Sequence, residues 1–311
     1  MQKAISYELS VMFHKKEFII ALCIVMVFCL VSFMYTGNIM ANSLFSVDRS
    51  STISADDVFI GSYGAPFWRY FSYVFVFMVV LPYSMSYIND SETGVLPSIL
   101  TRFSKRKYFL AKIIACFVGN VLIILLPFII NYVLCHIAYP QPWNYSLASY
   151  GTRTMAQSIL GTDIYINTKY TVMPFYKLFL FSPTLYSFVH ILLFSVFSGL
   201  LGVFLLSLSF LIRQHRSILF LPVYLIIIGG NVLDSYLYNQ ALNGFGSYVN
   251  TQLLQYLSVF GMYGQNMWLL LGFAVFLIAF TVVGYLYIVK SDVLITGGGV
   301  RSGKAGKKHA S

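Results

Sequence analysis

Charge is what this sequence has least of. Only 10% of its 311 residues are Asp, Glu, Lys or Arg, while 58% are hydrophobic; an ordinary soluble domain carries about 25% charged residues. A water-soluble fold cannot cover that much apolar surface, so the soluble classes are excluded. Acids are scarcer than bases, ten Asp and Glu against twenty Lys and Arg, for a net charge of +10. The bases fall between long apolar runs and not along one face or beside stacking aromatics, which excludes a nucleic-acid surface. Cysteine is sparse too. Cys23, Cys29, Cys116 and Cys135 all lie in apolar stretches without metal-ligand spacing, a pattern of packing and not of a disulfide framework. His14, His136, His190, His215 and His309 are scattered. No nucleophile, base and orienting group come together, so no catalytic residue, metal site or cofactor is expected in the chain itself.

What is present in quantity is long apolar sequence. A bilayer core ~30 Å thick takes about 20 apolar residues in helix, because lipid offers no partners to backbone polar groups. Six segments qualify: 18–35, 67–88, 108–137, 184–212, 218–233 and 267–289. The expected fold is thus an all-α polytopic membrane protein with six transmembrane helices occupying residues 18–290. The third and fourth segments exceed the requirement, and the fifth is marginal and contains Gly229-Gly230. Fifteen of the twenty Lys and Arg fall on one set of loops and five on the other. By the positive-inside rule both termini are cytoplasmic in a plasma membrane, and 291–311 is a basic cytoplasmic tail. Residues 1–17 have no small-residue cleavage site after them, so the first span is retained. Within that stretch Ile5, Leu9, Met12 and Phe13 recur at helical spacing opposite Lys3, Ser10 and His14, which describes an amphipathic helix in the lipid interface.

Two features invite a chemical reading and are better explained otherwise. Residues 298–305 match G-x-x-x-x-G-K, yet Ala305 stands where a phosphate-binding loop needs Ser or Thr for magnesium, and no strand–loop–helix unit surrounds it. A flexible basic tail near anionic headgroups accounts for it. His190, Asn120 and Asn131, inside the spans, suit hydrogen bonds between helices. Ser195/Gly199 and Ser198/Gly202 repeat small-xxx-small spacing, which lets helix backbones approach closely, within or between protomers.

The most informative stretch joins the second and third spans. Leu96, Ile99, Leu100 and Phe103 follow i, i+3, i+4, i+7, predicting a short amphipathic helix with Asp90 or Ser91 as N-cap and Pro97 in its first turn. Ser104 can then cap the third span. Here the sequence resembles type-2 ABC transporter permeases, in which the second span runs into E-x-G-T-L, paired aliphatics, Thr, a Ser-Arg or Ser-Lys step, an aromatic and a Lys. Glu92, Gly94, Leu96, Leu100, Thr101, Ser104, Lys105, Tyr108 and Lys112 stand at matching positions. Val95 replaces the usual Thr, and Phe103 stands where Pro or Val is common.

The resemblance implies two permease protomers, as homo- or heterodimer, with separate cytosolic ABC ATPase subunits that bind the ATP and magnesium. It implies that residues 92–102 form a coupling helix, with Glu92, Gly94, Leu96, Ile99, Leu100 and Arg102 as ATPase-coupling residues and Arg213 and Arg216 in a second cytoplasmic contact. Glu92 would pair with Lys3 or Lys15 of the N-terminal helix, and Leu96, Ile99 and Leu100 would enter an ATPase groove. Short re-entrant helices within 234–266 would close the exit. By the same resemblance transport would be export; aromatic-rich spans with little fixed charge suit an amphipathic or hydrophobic substrate such as a lipid, peptide or drug, and membrane lipid is a partner throughout. The rival classes are a secondary transporter, for which no inverted repeat is visible, and a membrane sensor or scaffold.

Overall fold

The computed structural model describes residues 1–43, 55–61, 66–139, 175, 178, 181–212, 219–242, 251–258 and 267–290. Among them the chain is all-helical, without strands. In order it forms α1 (Gln2–Phe13), α2 (Lys16–Ser43), α3 (Ala55–Val58), α4 (Pro66–Val80), α5 (Ser86–Glu92), α6 (Leu96–Arg102), α7 (Lys105–Ala138), α8 (Pro183–Leu211) and α9 (Phe220–Tyr224). A π-helical turn (Leu225–Gly229) joins α9 to α10 (Gly230–Leu242), and α11 (Leu253–Leu257) and α12 (Met267–Lys290) follow. Among the described residues five helices are long and apolar enough to cross a membrane: Lys16–Asn38, Lys105–Ala138, Thr184–Leu211, Phe220–Ala241 and Met267–Lys290. The chain is a multi-pass membrane protein.

The segment expected at 67–88 is the exception. Its helix α4 has 15 residues, about 22 Å at ~1.5 Å per residue, and a turn over 81–85 separates it from α5. Pro82 is the cause. Proline has no N–H to give to the carbonyl four residues back, its ring crowds that carbonyl, and the residue before it is pushed out of helical geometry. Ser84 shores up the break, its hydroxyl reaching the carbonyls of Val79 at 3.1 Å and Gly202 at 3.2 Å. The fifth span is longer than expected, because helix continues through Gly229-Gly230 by way of the π-turn. The stretch expected to lie in the lipid interface is helical as α1, and it is buried along Ala4, Glu8 and Met12, with Phe13 exposed. Met12 sits against Gly119 of α7, where any Cβ would collide with its sulfur.

The core is the α7–α8 hairpin. Small residues set its spacing: Gly199 faces Phe117 and Val121, Gly202 lies on Asn120, and the Ser198 hydroxyl donates to the Asn120 carbonyl at 3.3 Å. The small-xxx-small stripe therefore works within one chain. Asn131 ties three elements together, donating to the Cys29 carbonyl of α2 at 3.0 Å and accepting from the Ile60 amide beyond α3 at 3.2 Å. Phe71, Phe75, Phe128 and Phe194 interlock between α4, α7 and α8, with centroid separations of 5.0 Å for Phe75–Phe194 and 5.4 Å for Phe128–Phe194. His190 is fully buried in α8 beside Tyr186, ring centroids 4.5 Å apart, with the Leu257 backbone as a polar neighbour. α12 closes on α8 through Gly284 against Ser207 and Phe280 against Phe204.

Candidate functional site

α7 has 34 residues, about 51 Å of helix, well beyond the ~30 Å hydrocarbon core. Around its first two turns α1, the α4–α5 turn, α5 and α6 gather. At the centre is Lys112, whose side chain is fully buried. It donates to Asp90 of α5 and to the Tyr108 hydroxyl at 2.8 Å, and Tyr108 in turn donates to Asp90 at 2.7 Å. On its other side Glu8 of α1, 2% exposed, lies 3.6 Å away and accepts from the Tyr83 hydroxyl. Lys15, in the α1–α2 elbow, sits over the Tyr83 ring at 4.8 Å.

Two carboxylates and two ammoniums thus balance in one buried cluster drawn from four separate parts of the chain. Lys15 is half-buried, and its pKa is lowered from the usual value, first by that burial and then by repulsion from Lys112. A buried charge is tolerated only where it is paired and hydrogen-bonded. The cluster therefore fixes the docking of α1 and α5 on α7: Lys112 bridges an acid from each, and removing it leaves Glu8 buried without its cation. Its chemistry is that of a joint, since it combines no nucleophile with a poised base. Among the described residues no group of three or more His, Cys, Asp or Glu could hold a metal ion.

The α5–α6 unit carries the residues singled out from sequence. The short helix Leu96–Arg102 is present, with Pro97 in its first turn. Its N-cap is Val95, because α5 runs through Asp90 and Ser91 to Glu92 and so removes those two from the capping role. Ser104 is the N-cap of α7 in extended geometry, although its hydroxyl makes no capping bond. Gly94 separates α5 from α6 at φ 68°, a left-handed conformation that a side chain would strain. The apolar stripe is turned the other way from the expectation. Leu96 and Ile99 are 4% and 8% exposed, and Leu100 also packs on the core of this chain. Burial within the protein already satisfies the stripe, leaving Val95, Ser98, Thr101 and Arg102 on the exposed face.

Glu92 is exposed at the end of α5, and the acids in the buried cluster are Glu8 and Asp90. Lys15 joins that cluster, whereas Lys3 is exposed. Arg213 and Arg216 lie outside the described residues, as do 298–305 and the basic tail. Sequence reasoning passed over Glu8 and took Asp90 for a cap. The signal was there: Lys112 inside an apolar run and Glu8 on the Ala4–Met12 face are opposite charges in apolar settings, which by default seek each other.

No family model, no curated protein and no solved structure matches this chain. What the fold and its geometry establish is a multi-pass helical membrane protein with a buried acid–lysine joint where α1, α5 and α7 meet.

Proposed function

We propose that this chain is the permease subunit of an ATP-driven ABC transporter, exporting an amphipathic or hydrophobic substrate as a homo- or heterodimer with separate ATPase subunits that bind ATP and magnesium. The observation that carries the proposal is the α5–Gly94–α6 elbow braced on α7 and α1 by Lys112, Asp90 and Glu8. An element that transmits an ATPase stroke needs an outward face for the ATPase and a stiff attachment to the spans. The exposed Val95, Ser98, Thr101 and Arg102 supply the first, and the buried ion pairs supply the second. Docking is then polar and basic, and Leu96 and Ile99 act from behind by seating α6. The six-span topology fits if α4, broken at Pro82, serves as a short second span, with both termini in the cytoplasm of a plasma-membrane protein.

Affinity purification from native membranes tests the partner directly: an ABC ATPase should co-purify and hydrolyse ATP. Val95→Asp with Arg102→Glu should abolish that association while leaving the permease folded. Normal assembly and transport in this double variant would remove the coupling role from α6. Single cysteines at Ser46, Ser158 and Ser247 should react with an impermeant reagent from outside and one at Ser302 should not; outside labelling of Ser302 would invert the topology.

A further inference from the structure

We draw no further inference here: the strongest candidate, the exposed face of α1 formed by Lys3, Tyr7, Ser10 and His14, with Tyr7 against Phe103 just past α6, is a surface patch, and nothing in the structure shows what covers it.

Discussion

Replacing Lys112 with Met nearly preserves side-chain length and removes the cation shared by Glu8 and Asp90. At 3.6 Å and an effective dielectric of about 20, the Glu8–Lys112 attraction alone is about 5 kcal/mol, much of it offset by the cost of taking both charges out of water. The net effect of stranding Glu8, 2% exposed, is a loss of about 3–5 kcal/mol. Asp90 suffers less, because its side chain keeps 22% exposure and the Tyr108 hydroxyl. Glu8→Gln should cost about 1–2 kcal/mol, since an amide oxygen still accepts from Tyr83 and Lys112 retains Asp90. The double variant should be more stable than the sum of the two losses, by about 2 kcal/mol, because it removes both stranded charges. Thermal unfolding in detergent, followed by tryptophan fluorescence, should drop on the order of 10 °C for Lys112→Met, with faster tryptic cleavage at Lys15–Lys16 as α1 lifts away. A midpoint within a degree of the parent, or strictly additive losses, would refute the buried joint.

Three further outcomes follow from the packing. Gly202→Ala should lower stability by about 1–3 kcal/mol, because the new Cβ would overlap the Asn120 side chain and push α7 from α8; unfolding midpoints against Gly272→Ala, which has open space at that position, make the comparison. Asn131→Leu leaves the Cys29 carbonyl and the Ile60 amide without its side chain, for about 2–3 kcal/mol, and should loosen α3 first, visible as proteolysis near residues 55–61. Lys15 has a folded pKa below its ordinary 10.5, so the unfolded chain holds more protons in that window and stability should rise as pH climbs from the folded value toward 10.5. Lys15→Met should flatten that rise, as read from unfolding midpoints across alkaline pH.

The sequence by itself determined the membrane character, because 58% apolar residues with 10% charge leave no soluble alternative and apolar runs near 20 residues can only be satisfied as helix. It also determined that a short helix with Pro97 in its first turn follows the second span, since a 3.6-residue stripe and an N-terminal Pro are local signals that local structure obeys; the turn at Gly94, which starts that helix at Leu96 and not beside Asp90 or Ser91, came from the structure. Pro82 was equally legible as a breaker, yet the apolar run around it outweighed it in the hydropathy pattern. Tertiary structure decided everything that depends on which face meets which neighbour. Periodicity defines a stripe on α6 without saying whether this chain or another covers it, and here Leu96 and Ile99 turn inward. Glu8 and Lys112 stand more than a hundred positions apart in sequence. Their pairing, like the reach of Thr251 to Asp234 and Gly230, exists only once helix packing has removed the water that would otherwise solvate each charge alone.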